Sequence, residues 1–160
     1  GENSGKLVDR VRRAAKETAR ALGMEWVLVD GPPGTGCAAR SAITGADYVV
    51  IVTEPTESGI HDLRRILELT RHFRVDAGLV VNKSTLSPRH TALVSEFAAS
   101  EQIDLLGELP FARSIPEALT RLILYPRFRD DAITAELRRI CDRIASAADG
   151  AGVRAAHDPA

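Results

Sequence analysis

The chain has 160 residues, of which 44% are hydrophobic and 27% charged, and its formal net charge is −1. This composition suits one globular domain with enough chain to bury a core, and the balanced charge gives no overall footprint for nucleic acid or an anionic membrane. No apolar run is long enough for a helix to span a bilayer, so membrane insertion is not expected, and no secretory leader is recognisable.

Helical and strand-like patterns alternate along the chain. Leu7, Val8, Val11, Ala15, Ala19 and Leu22 form a stripe at helical spacing, and Arg10, Arg12 and Arg13 read as its solvated face. "WVLVD", residues 26–30, is a short apolar run ending in an acid and is expected to be the first strand. "DYVVIVTEP" is a second strand, followed by a helix with Ile60, Leu63, Leu67 and Thr70 inward; "AGLVVNK" is a third. Ser87 and Pro88 supply an N-cap and a first-turn proline to a helix carrying Leu93 and Phe97. "IDLLGELP" is a fourth strand, and a short helix is expected from about Ser114 to Leu122. A last amphipathic helix places Ile133, Leu137, Ile140, Cys141 and Ile144 on one side, and the aperiodic tail 149–160 is expected to be disordered.

Apolar strands separated by amphipathic helices predict an α/β domain over residues 1–148, with a parallel sheet covered on both faces. Ligands bind such sheets outside the carboxyl ends of the strands. The residues there are Asp30, then Thr53–Glu54–Pro55, then Asn82–Lys83, then Pro110. An acid, a glycine-rich turn and an Asn-Lys pair on one rim suit a nucleotide and its metal.

The densest signal is "VDGPPGTGC", residues 29–37. Asp30 ends a hydrophobic run, where a carboxylate can hold Mg²⁺ directly or through water. Gly31 and Gly34 permit a sharp turn, Pro32 and Pro33 stiffen it, and a free N–H at Gly34 can meet a terminal phosphate. The bland alternative is a strand-to-helix turn that happens to carry an acid. The opening "GENSGKLV" contains a Gly-Lys pair, Gly5 and Lys6, but fails as a phosphate loop. Its glycines are too closely spaced, Leu7 stands where a magnesium-binding hydroxyl belongs, and no strand precedes it. Asn3 or Ser4 is the expected cap of the first helix.

Taken together, "ENSGKLV", "VDGPPGTGC", "TGADYVVIVTEPTESGIHDL" and "VVNK", in this order and spacing, resemble the MinD/ParA/Mrp group of P-loop ATPases. The resemblance runs from Glu2 to about Ile144 and is nearest to the MinD-like branch with an inserted ferredoxin-type iron–sulfur domain. It implies a three-layer α/β/α fold of the P-loop NTPase type, lacking the strand that carries the P-loop. In that family the P-loop strand lies between the "WVLVD" and "DYVVIV" strands. It also implies Asp30 as the Walker B acid and Mg²⁺ ligand, and Gly31–Gly34, with Pro32 and Pro33, as a nucleotide-sensing switch. Asn82 would hydrogen-bond adenine, with Lys83 beside it and the loop after Pro110 closing over the base. Glu54, from its own position at a strand's carboxyl end, is expected to touch ligand or a partner subunit. ATP and Mg²⁺ are the implied ligands, a homodimer the implied assembly, and an iron–sulfur or redox protein the implied partner.

Two departures matter. The deviant Walker A loop and the cysteine-rich insert that holds 4Fe-4S clusters lie upstream of "ENSGKLV" in relatives, and Ala112 stands where relatives often carry an acid. A start at Gly1 rather than Met is expected of a piece of a longer polypeptide. The two cysteines, Cys37 and Cys141, form no metal-type pair, cannot hold a four-thiolate cluster, and suit a reducing, cytoplasmic compartment; both are expected in the core. His61, His72 and His90 are expected on solvated surface. Two functions follow: the C-terminal portion of a Mg-ATPase serving iron–sulfur or redox chemistry, or a non-catalytic nucleotide-fold module that binds a partner.

Overall fold

The computed structural model describes residues 2–155, with side-chain surroundings for residues 5–150. Three strands form one parallel sheet in sequential order: β1 (Tyr48–Thr53), β2 (Asp76–Asn82) and β3 (Asp104–Leu109). Helix α1 (Glu2–Ala21) and the short α2 (Cys37–Ile43) precede β1, α3 (Glu57–His72) links β1 to β2, and α4 (Pro88–Ser100) links β2 to β3. Helices α5 (Ser114–Thr120), α6 (Tyr125–Phe128) and α7 (Ala132–Ala155) follow β3. Parallel strands need such crossovers, because a tight turn can only return a strand antiparallel.

The strand sequences are apolar at successive positions because helices pack on both faces, although Val52 near the end of β1 is 62% exposed. Ile51, Leu79 and Val81 face α3 and α4 and pack with Leu63, Leu67, Val94 and Ala98. Val80 and Leu106 face α7 and pack on Ile140, joined by Val50 and Ile144. A third cluster, Ala118, Tyr125 and Ile133, fixes α5 and α6 against the start of α7. The result is the expected three-layer α/β/α arrangement.

The expected first strand, residues 26–30, is not a strand. It is coil between α1 and α2, with Leu28 97% and Trp26 50% exposed. A strand exists only where its N–H and C=O groups find a ladder, and nothing among the described residues pairs with this segment. The opening octapeptide also differs from expectation. Residues 2–8 are helical, so Asn3 and Ser4 lie inside the first turn of α1 rather than capping it. Gly5 serves packing: a Cβ there would lie 2.9 Å from Ser41 Oγ on α2. Arg12 donates to the Ser41 carbonyl and Lys16 to the Gly45 carbonyl, which ties α1 to the chain entering β1.

On α4 the inward residues are Val94 and Ala98; Leu93 is exposed and Phe97 only half-buried. Cys141 is exposed too, because it sits 100° around α7 from the buried Ile140, and Cys37 is exposed at the start of α2. Helix α7 continues through Ala155, beyond Asp149, and residues 156–160 of the expected tail lie outside the described residues.

Two positions give tests of this packing. Gly107 faces α7 so closely that a Cβ would lie 2.5 Å from Ile140 Cγ1. Gly107→Ala is expected to lower unfolding free energy by about 1–3 kcal/mol, measured by urea titration; an unchanged midpoint would mean α7 does not sit on β3.

Asp131 caps α7, accepting from the Ile133 and Thr134 N–H groups at 3.0 and 3.1 Å, and from the Tyr125 hydroxyl at 2.9 Å. The Thr134 N–H bond is the main cause that holds its carboxyl below the usual carboxylate range, with Tyr125 and Ile133 lowering it further against some desolvation. A depressed folded-state pKa stabilises above the unfolded value and loses that contribution as pH falls through the folded value. The stability deficit of Asp131→Asn should therefore be largest near neutral pH and shrink below about pH 4; a deficit independent of pH would contradict the assignment.

Candidate functional site

The carboxyl ends of β1, β2 and β3 form one rim, and each end is fixed by a local device. Thr53 is buried and donates its hydroxyl to the Gly59 carbonyl at 3.1 Å. Thr56 caps α3 by accepting from Gly59 N–H at 2.9 Å. Gly59 is enclosed so tightly by Thr53, Thr56 and the Glu54 carbonyl that no larger residue fits without movement. The turn carrying Glu54 is thereby pinned to the first turn of α3.

The end of β2 is shaped differently. Lys83 adopts the left-handed conformation, φ 57° and ψ 36°, which turns the chain sharply into a single 3₁₀ turn at Ser84–Leu86. Thr91 on α4 donates to the Ser84 carbonyl at 2.7 Å. Thr85 Oγ1 accepts the Phe111 N–H at 3.0 Å, so the loop after Pro110 is tied to the loop after β2. Asn82, half-buried, pairs in register with Leu109 between these two loops. Sequence reasoning placed Thr53 at this strand end but missed Gly59, Thr85 and Thr91, although the T-x-x-T-x-x-G spacing of residues 53–59 is the signal that a capped helix start folds back on a strand end.

Lys83 Nζ and Glu54 Oε1 form an ion pair at 2.6 Å across the rim. Both side chains remain about two-fifths exposed, so the pair adds on the order of 0–1 kcal/mol. Its value is positional. It places one cation and one carboxylate beside Asn82, where either can be drawn off by a ligand of opposite charge.

Of the expected site residues, Glu54, Asn82, Lys83 and Pro110 lie together on this rim. Asp30, Gly31, Pro32, Pro33 and Gly34 do not join them by any hydrogen bond or ion pair among the described residues; they form an exposed coil leading to α2. Gly34 has φ 80°, a left-handed conformation that glycine adopts without strain, whereas Gly31 has no positive φ. Lys6 lies within α1, not in a loop.

The Asp30 carboxylate is exposed and makes no side-chain hydrogen bond or ion pair among the described residues. One free carboxylate fits Mg²⁺, which keeps several waters and completes its shell from substrate phosphates rather than from a protein cage. No group of three His, Cys, Asp or Glu among the described residues is placed to hold a metal. Cys37 and Cys141 sit on separate helices and do not fit an iron–sulfur cluster. His90 is not freely solvated: its Nδ1 lies 2.8 Å from Ser87 Oγ at the α4 cap, whereas His61 and His72 are exposed.

Two cavities lie away from the rim. One of about 460 Å³ sits at the amino ends of the strands, lined by Tyr48, Thr70, Arg71, Asp76 and Asp104 among others. Burial, with the charges of Asp104 and Asp76, pushes the Tyr48 phenol upward there against the opposing effect of Arg143. The other, about 380 Å³, lies between Thr35 and Arg40 on one side and Arg65 and His72 on α3.

No family model matches the chain. The MinD cell division protein of Aquifex aeolicus superposes with a TM-score of 0.73 at 16% identity, covering 87% of this chain and 61% of that one. The cell division ATPase MinD of Pyrococcus furiosus gives 0.70 at 18%, covering 89% and 58%. The fold is therefore that of MinD-type P-loop NTPases, a three-layer α/β/α sandwich with a parallel sheet. Among curated proteins of Methanocaldococcus jannaschii, MJ0578 is 27% identical over 121 residues, 76% of this chain and 39% of its own length. MJ0547, named as ATP-binding, is 28% identical over 71% of this chain and 43% of its own length. The chain thus spans less than half of the curated relatives it matches.

The geometry yields one test before any ligand is added. In a double-mutant cycle, Glu54→Gln and Lys83→Gln should couple by no more than about 1 kcal/mol, while Gly59→Ala alone should cost more than either. A Gly59→Ala variant with wild-type stability would show that the Glu54 turn is not pinned as described.

Proposed function

We propose that this chain is the C-terminal portion, residues 1–148, of a MinD-like domain that binds and hydrolyses Mg-ATP. The observation that carries the proposal is the rim itself. Asn82 pairs with Leu109 at the ends of adjacent parallel strands, with Pro110 next in the chain and the Lys83–Glu54 pair beside them, in a fold shared with MinD proteins. The name of MJ0547 as an ATP-binding protein supports the same ligand.

In this reading Asn82 offers a side-chain donor and acceptor to the edge of adenine, and the tied loops around Thr85 and Phe111 hold the base in place. Lys83 exchanges its bond to Glu54 for a polar group of the nucleotide or of a partner subunit. Asp30 orients Mg²⁺, directly or through water, when the coil 26–30 is drawn into the sheet. The Gly31–Gly34 turn, with the stiff Pro32–Pro33 pair, responds to the terminal phosphate through backbone N–H groups. Bound Mg²⁺ supplies charge neutralisation of the phosphoryl oxygens. A P-loop and a ferredoxin-type insert upstream, a homodimeric assembly, a cytoplasmic location and an iron–sulfur or redox partner belong to this proposal.

The exposed, unpaired state of residues 26–36 favours a second reading, a nucleotide-fold module that binds a partner without hydrolysis. One experiment separates the two. In the full-length parent, Asp30→Asn should lower Mg-dependent ATP hydrolysis by more than tenfold, about 1.4 kcal/mol or more of barrier, and Asn82→Ala should erode the preference for ATP over GTP. Turnover within about twofold of wild type in Asp30→Asn would reject the metal assignment, and unchanged base selectivity would remove Asn82 from the site.

A further inference from the structure

The two cavities away from the rim differ in how their charges are used. At the amino ends of the strands, Glu101 accepts from Arg71 at 2.7 Å and Asp104 from Arg143 at 2.6 Å, so these lining groups are held by opposite charges. The cavity between α2 and α3 is not closed in this way. Arg40 from α2 and Arg65 from α3 both line it, and among the described residues neither guanidinium makes a hydrogen bond, an ion pair or a ring contact. Their neighbours on α3 are engaged, Arg64 over the Phe97 ring and Arg71 with Glu101.

Helix α3 gives this cavity a whole face. Arg65, Glu68, Leu69 and His72 follow the i, i+3, i+4, i+7 spacing that aligns side chains on one side of a helix, away from the buried Leu63, Leu67 and Thr70. Thr35 and Arg40 form the opposite wall. Glu68 is the one acid among the lining residues, so the two arginines outnumber it and the site favours an anion.

The donor set indicates which anion. A single guanidinium fork already satisfies a planar carboxylate with two parallel bonds. Two forks, a hydroxyl and an imidazole instead suit an anion with three or four oxygens, and guanidinium geometry matches phosphate well. The volume, about 380 Å³, accommodates a phosphoryl group together with part of a carrier.

We propose that the cavity between α2 and α3 is a phosphate site, with Arg40 and Arg65 meeting the phosphoryl oxygens and Thr35 and His72 completing the shell. Occupancy has a structural consequence. Thr35 directly follows Gly34, and Gly36 at the start of α2 supplies no side-chain cap. A phosphate held by Thr35 and Arg40 on one wall and Arg65 on the other anchors the end of the exposed 26–36 coil to α3. The inference does not depend on ATP binding, because no residue of the Asn82 rim takes part.

Amide NMR titration of the 160-residue chain tests it, with inorganic phosphate and glycerol phosphate as separate probes and ionic strength held constant with sodium chloride. The Thr35, Arg40, Leu69 and His72 amides should shift saturably. Arg40→Gln and Arg65→Gln should each weaken binding about tenfold, equivalent to about 1.4 kcal/mol. Both side chains are exposed, so neither change should alter the thermal midpoint. Glu68→Gln, which removes the opposing charge, should tighten binding several-fold. Tighter binding of glycerol phosphate would name a phosphate monoester as the ligand, and tighter binding of inorganic phosphate the free ion; either supports the site. Equal shifts from chloride alone would mean an adventitious ion only and overturn the proposal. Saturable shifts that both arginine variants leave unchanged, or no saturable shift with either probe, would overturn it too.

Discussion

Strand β2 is paired on both edges and covered on both faces, and the positions of the other elements follow from it. Its ladders to β1 and β3 satisfy the backbone groups of a segment whose Leu79 and Val81 are wholly buried, where an unpaired N–H would cost about 1–3 kcal/mol. The parallel register brings Thr53, Asn82 and Leu109 to one end of the sheet. The crossovers through α3 and α4 then follow, and the loops that leave that end become the candidate site.

The same constraint explains the part of the chain that lacks a ladder. Residues 26–30 have a strand's composition and none of a strand's partners among the described residues, so they remain coil with Trp26, Leu28 and Val29 exposed. The rim on β1, β2 and β3 is framed by Thr53–Gly59, Thr91–Ser84 and Thr85–Phe111 bonds without help from that coil. The rim is thus organised by its own bonds, whereas residues 30–34 make no hydrogen bond or ion pair to it among the described residues.

Where residues act through local pattern, the sequence was readable. The apolar runs of β1–β3 and the Ser87–Pro88 start of α4 appear close to their expected positions, because burial on two faces and helix capping leave signals within a few residues. Expectation failed where a distant partner decides. The segment 26–30 needs a neighbouring strand, and Cys141 lies one helical step from the buried Ile140. The Lys83–Glu54 bond joins two strand ends 29 residues apart, and the Asp131–Tyr125–Ser114 network spans three elements; neither leaves a local signature.

Amide hydrogen exchange on the 160-residue chain, read residue by residue, tests the central claim most directly. The account predicts that Leu79, Val80 and Val81 exchange only through global unfolding, that Phe111 is protected by its bond to Thr85, and that the amides of residues 26–34 exchange near the unprotected rate. Protection of residues 26–30 comparable to that of β2 would mean that this segment is a fourth strand of the folded sheet, and would contradict the division between a fixed rim and a free Asp30 coil.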